Sequence, residues 1–196
     1  SLEPTSGKIV VTGNSDRRFT IIRATPSGAP DASFAKNGVY RADGFSDPTS
    51  SSGHAVQVLP NSDMLVTGRR AVPNGDFFQG IGFVDRFLQN GARDFFFTLH
   101  LTSATTNYRG VFSLPGGATL AVGDDTTQHV AVRLLASGAP DPAFGDNGLR
   151  TYAPGCQADD ATVAPNGDVI IVGRQIGTGE PGPFGTCVTR IAARDK

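Results

Sequence analysis

Tryptophan is absent, methionine occurs once, and glutamate and lysine occur only two and three times among 196 residues. With so few strong helix formers beside 25 glycines and 13 prolines, long helices are disfavoured. The missing tryptophan also argues against tryptophan-stacked sugar sites and tryptophan-docked quinone cofactors, and no cofactor is indicated by any other motif. No apolar run approaches the ~20 residues that cross a bilayer, so no membrane span is expected. A formal net charge of -1 gives no basic field for nucleic acid or anionic lipid. A hydrophobic fraction of 38% with 13 phenylalanines is enough to build a core and argues against disorder. The length fits one domain or a piece of a larger one. The chain opens on Ser1, and residues 1–7 have neither the charged start nor the apolar stretch of a signal peptide, so a processed or trimmed chain is expected.

What is present is a repeat. Four apolar runs end in glycine: Ile9-Val10-Val11-Thr12-Gly13, Met64-Leu65-Val66-Thr67-Gly68, Leu120-Ala121-Val122-Gly123 and Ile170-Ile171-Val172-Gly173. Their glycines are 55, 55 and 50 residues apart. Each run follows a proline-led turn, beginning at Pro4, Pro60, Pro115 and Pro165, with small polar residues that suit tight hairpins. A second block follows each run, with an arginine, a glycine five residues on, an aspartate three further and a phenylalanine three further still. It reads Arg23, Gly28, Asp31, Phe34, then Arg86, Gly91, Asp94, Phe97, then Arg133, Gly138, Asp141, Phe144, and the fourth copy keeps Arg190. In the second repeat the pattern predicts strands at Ala55 to Leu59, Met64 to Thr67, Phe83 to Leu88 and Phe95 to Leu101. Four antiparallel strands every 50 to 55 residues predict an all-β chain of β-propeller blades, with boundaries near 1–52, 53–107, 108–156 and 157–196. A β-solenoid or a sandwich is the rival architecture.

The segments Gly28-Ala29-Pro30-Asp31-Ala32-Ser33-Phe34-Ala35-Lys36-Asn37-Gly38 and Gly138-Ala139-Pro140-Asp141-Pro142-Ala143-Phe144-Gly145-Asp146-Asn147-Gly148 resemble the bacterial delta-60 repeat, as does the hairpin Pro165 to Gly173. The second copy departs from it, since Asp94-Phe95-Phe96-Phe97 lacks the small residues and the closing Asn-Gly. The resemblance implies a propeller-like array that is periplasmic, extracellular or on the cell surface, and it brings no catalytic residue set. About three and three-quarter repeats are present. A self-closed ring of four would therefore expose strand edges, and completion by another polypeptide, or by the missing part of the same precursor, is expected.

In a meandering blade alternate connections fall at opposite ends. One end holds the repeated turns; the other varies, because the run-ending glycine and the repeated arginine are 10, 18, 10 and 17 residues apart. Arg69 to Gly82 and Arg174 to Thr186 thus read as inserted loops, with Gly44 to Gly53 as a further irregular segment. The candidate binding residues at this end are His54, Arg69, Arg70, Phe77, Phe78, Asp124, Asp125, Asp159, Asp160 and Phe184. His129 falls near it and His100 inside a predicted fourth strand, a scatter too weak for a zinc site. Asp124-Asp125 and Asp159-Asp160 offer oxygen ligands, but no spaced calcium loop surrounds them. The glycines of Gly177 to Gly182 lack the lysine and following helix of a phosphate loop, and no Gly-x-Ser-x-Gly elbow occurs. The repeated Arg23, Arg86, Arg133 and Arg190 read as structural partners of Asp31, Asp94 and Asp141 rather than as an anion site.

Cys156 and Cys187 are compatible with a disulfide in an oxidising compartment or with two buried thiols. Their predicted places, at the variable ends of a first and a third strand, favour a bridge that pins the second inserted loop. The functional expectation is a binding or scaffold module. The alternative is part of a propeller enzyme whose active site lies at the channel mouth and partly on missing blades.

Overall fold

The computed structural model describes residues 1–42, 51–74, 77–104, 106–176 and 185–192. Four antiparallel meanders follow one another along the chain. The first sheet is β1 (Ile9–Ser15), β2 (Arg18–Ala24) and β3 (Val39–Arg41). The second is β4 (Ser52–Val58), β5 (Met64–Asn74), β6 (Phe77–Phe87) and β7 (His100–Ala104), and the third β8 (Asn107–Ser113), β9 (Thr119–Asp124), β10 (Gln128–Leu134) and β11 (Leu149–Pro154). The fourth is β12 (Cys156–Val163), β13 (Val169–Gln175) and β14 (Thr186–Ile191). One 3-10 turn at Pro115–Gly117 is the only helical segment among the described residues. No helix among them is long and apolar enough to cross a membrane.

The continuous apolar runs are explained by how the sheets stack. β4 packs on β1 and β2, β8 on β4, β5 and β6, and β12 on β8, β9 and β10. Each inner sheet is therefore covered on both faces and needs apolar residues on both. Counting back from the run-ending glycine, the third residue faces the following sheet and the second faces the preceding one. Val10 accordingly meets Val66 and Met64 in one core cluster, Leu65 meets Ala121 in the next, and Leu120 meets Ile171 and Val169 in the last.

The Arg-Gly-Asp-Phe block is one turn built three times. Asp31 N donates to Arg23 O, Asp94 N to Arg86 O and Asp141 N to Arg133 O, while Phe34, Phe97 and Phe144 each donate back to their aspartate's carbonyl. Gly28, Gly91 and Gly138 take φ of 87°, 85° and 83°, a conformation other residues adopt only with strain. The arginine Nε donates to the aspartate at 2.7, 2.6 and 2.7 Å, and the guanidinium lies 4.8, 5.2 and 5.0 Å from the ring centre of the buried phenylalanine. In the fourth sheet Arg190 turns instead to Asp168 of its own proline-led hairpin, at 2.5 Å.

These aspartates set a pH dependence. The N–H of Ala143, against some burial, and then Arg133 hold the Asp141 carboxyl below its ordinary 3.8. Burial pushes Asp94 and Asp31 upward, but the Phe96 N–H and Arg86 outweigh it at Asp94, and Ser33 and Lys8 do so at Asp31. A folded value below the unfolded one gives stability that is present above about pH 4 and is lost as pH falls through the folded value. The urea midpoint is expected to be level from neutrality to about pH 5 and to fall below about pH 4. Asp141→Asn should flatten that fall. A level midpoint down to about pH 2, or superimposed curves for the two proteins, would contradict this role.

Two sequence readings need correction. Arg69 to Gly82 is not an inserted loop: β5 and β6 pair without a break from Met64 with Phe87 to Asn74 with Phe77, forming a long hairpin. The fourth strand of the second sheet is His100–Ala104 and not Phe95 to Leu101, because Phe95, Phe96 and Phe97 belong to the repeated turn. The Cys156–Cys187 disulfide is present, with Cα atoms 6.1 Å apart. Its cysteines lie on either side of β13, opposite Gln175 and Gly173. Regular strands at that spacing stand ~9.6 Å apart, and the turn at Gly155 (φ 81°) and the bulge in β12 draw them together. Closing 31 residues stabilises the chain by about 3 to 4 kcal/mol in the chain-entropy account.

Candidate functional site

At the variable end each complete first strand carries a β-bulge in the same place. The pairing skips His54 in β4, Arg109 in β8 and Asp159 in β12. The run-ending glycine lies opposite the residue before the bulge, and there the bulged strand leaves no room. A Cβ on Gly68, Gly123 or Gly173 would overlap the carbonyl oxygen of Ser52, Asn107 or Gln157. Gly13, whose sheet has no such strand alongside, has nothing within 4 Å. Bulges re-aim side chains and often adjoin functional sites, and the three bulged residues differ in their partners.

His54 bridges sheets. Its Nδ1–H donates to Tyr108 O at 3.0 Å and its Nε2 faces Ser52 Oγ at 2.9 Å, so both nitrogens are used. Burial, outweighing the Tyr108 bond, and then Arg109 and Arg69 lower its pKa and keep it neutral. Arg109 has a buried Nε with no hydrogen-bond partner among the described residues. Asp159 is exposed and pairs with Arg174 at 3.1 Å. Of the remaining candidates, Asp124 is buried and caps the Thr126 N–H. Asp125 accepts from Thr127 and Gln128, and Asp160 from the Ala161 N–H. Arg69 lies across Gly80, where a Cβ would strike its guanidinium. His129 is not at the surface; it is fully buried, with Nδ1 2.9 Å from Thr189 Oγ1. Phe77 and Phe78 sit in β6 opposite Asn74 and Pro73, while their side chains, and Phe184, Gly177 to Gly182 and most of Gly44 to Gly53, lie outside the described residues. No group of three His, Cys, Asp or Glu side chains able to hold a metal occurs among the described residues.

The structure brings Arg70 to a different place, a cavity of about 190 Å³ between the first and second sheets. Its walls include Phe19, Tyr40, Phe83 and Phe87, which meet edge to face or tilted at 4.8 to 6.0 Å. Its polar lining is Arg70, Asp85, Arg93, Ser51 and Tyr40, an excess of one positive charge. Asp85 is buried and accepts the Arg93 Nε at 2.6 Å and the Arg86 N–H at 3.0 Å. Burial raises its pKa against the pull of Arg93, so, unlike the turn aspartates, it weakens the fold as pH rises through its folded value. Sequence reasoning passed over Asp85 and Arg93, although a signal existed. Where Asp85 stands the other repeats have Ile22, Val132 and Thr189, and where Arg93 stands two others have Pro30 and Pro140. A larger cavity of about 310 Å³ between the third and fourth sheets is framed by Arg133, Asp141 and Phe144, positions that every full repeat shares. The smaller one is lined by charged residues peculiar to one repeat, Asp85 and Arg93. Two guanidinium groups over aromatic walls can grip a carboxylate or phosphate in a fixed plane while packing an apolar body beneath it.

No family model matches the chain, and no curated protein does.

Proposed function

We propose that the chain is a run of β-propeller blades of an exported protein and serves as a binding or scaffold module, holding a ligand or partner group that carries a carboxylate on an apolar or sugar-like body. The meandering sheets, each with its first strand packed on the sheet before it, support the propeller reading. The disulfide and the resemblance of the Gly-Ala-Pro-Asp turns support export. The observation that carries the binding role is the Asp85–Arg93 pair with Arg70, charge in a sheet interface where the positions equivalent to Asp85 and Arg93 are apolar or neutral in the other repeats. Buried ion pairs are often no more stable than apolar residues of similar size, so folding alone gives little reason to keep this one.

The test is to give the cavity the residues that other repeats use, Arg70→Ser as at Ser15, Asp85→Val as at Val132 and Arg93→Pro as at Pro30. The triple variant should match the wild type in urea or exceed it by about 1 to 2 kcal/mol. Affinity for oligogalacturonate, an acidic glycan, should drop by about tenfold or more. A variant that loses several kcal/mol would make the cluster structural, and unchanged or undetectable glycan affinity in both proteins would refute the ligand class.

A further inference from the structure

The first and last sheets carry the same residue pattern as the inner ones, yet each leaves one face bare. At the position two before the run-ending glycine, Val66, Ala121 and Ile171 are wholly buried against the preceding sheet, whereas Val11 is 53% exposed. Its cross-strand partner Ile22 is 44% exposed, although the equivalent Asp85, Val132 and Thr189 are all buried. The opposite face of the fourth sheet is open in the same way. Val188 is 63% exposed where Ile21, Val84 and Ala131 are wholly buried, and its partner Val172 is 39% exposed where Thr67 and Val122 are wholly buried. One end of the stack thus presents the surface that elsewhere covers a preceding sheet. The other presents the surface that elsewhere is covered.

We infer that a second copy of the chain docks here, the open face of its fourth sheet against the open first sheet of its partner. The chemistry is that of the interface between the second and third sheets, where Leu65 and Val84 meet the cross-strand pair Ala121 and Val132 in one apolar cluster. The contact is head-to-tail, since the two faces are different surfaces, and two copies satisfy all four faces when the contact is made twice in a closed ring. Among the described residues neither face is covered from within the chain, where the two stand at opposite ends of the stack. The inference rests on the equivalence of the sheets and not on the acidic-ligand reading.

The experiment uses the mass in solution and two variants at residues already exposed in the single chain. Sedimentation should give about twice 20.4 kDa for the wild type. Val188→Asp spoils one face and Ile22→Asp the other; each alone should weaken association about 100-fold or more and run as a folded monomer by circular dichroism. Mixed in equal amounts, they should associate again, because the intact fourth sheet of one meets the intact first sheet of the other. A wild type that stays monomeric, a variant that still pairs as the wild type does, or a mixture that stays monomeric overturns the head-to-tail contact. Neither residue lines the Arg70 cavity, so glycan binding by these variants is expected to be unchanged and reports separately on that reading.

Discussion

Gly123→Val is expected to cost about 4 kcal/mol or more, enough to leave much of the protein unfolded, whereas Gly13→Val at the same repeat position is tolerated. The two glycines end equivalent runs and pair with equivalent strands, Gly123 with Val130 and Gly13 with Thr20. They differ in what lies on the other side. At Gly123 the bulged β8 brings the Asn107 carbonyl and the Tyr108 Cα into the space that a side chain would need. Gly123 itself is held by pairing on both sides, and the β8 backbone it would strike, paired to β9, cannot yield as a flexible side chain would. At Gly13 that space is open, and valine there gains strand propensity worth up to about 1 kcal/mol. Urea unfolding of the two variants distinguishes them. Equal losses would mean that the glycine is required by the apolar run itself and not by the bulge beside it.

The part of the fold that the sequence displays is the part that repeats. Gly28, Asp31 and Phe34 recur at fixed spacing because the turn needs a positive φ, an aspartate beside its arginine and a ring beneath the guanidinium, and all three demands leave marks on residue type. The long hairpin was hidden by a local ambiguity. Arg69 to Gly82 contains Pro73-Asn74-Gly75-Asp76, the same turn that leads the fourth repeat at Pro165, so a hairpin signal was present within what reads as an insertion. The three bulges were legible only as glycines. An isolated glycine in a strand marks either a bulge or a close approach of backbone, and nothing in the residue types says which neighbour approaches.

The candidate site shows the converse. Arg70 draws attention as a charge near the variable end, but its destination is a cavity whose other charges stand inside the repeated block. Asp85 reads as one more strand residue beside Arg86 until it is set against Ile22 and Val132. In a repeat protein the departures from the pattern, once the sheets are superposed in register, identify the site better than the residues gathered by chemical type. His54 makes the same point in reverse, since a histidine gathered among the candidate binding residues is a neutral link between two sheets.

The central claim is that every sheet covers the one before it through the same residue positions, which leaves the first sheet open on one side. The most direct test is the unfolding free energy, in dilute solution, of Val66→Asp beside Val11→Asp. Val66 is wholly buried against the first sheet, and a carboxylate there would be buried opposite the Asp85 carboxylate, so a loss of about 4 kcal/mol or more is expected. Val11 occupies the same place in its own run and faces no sheet of its own chain, so its loss should stay within about 1 kcal/mol. Equally damaging substitutions would show that the first sheet is covered in the single chain and would contradict the stacking described here.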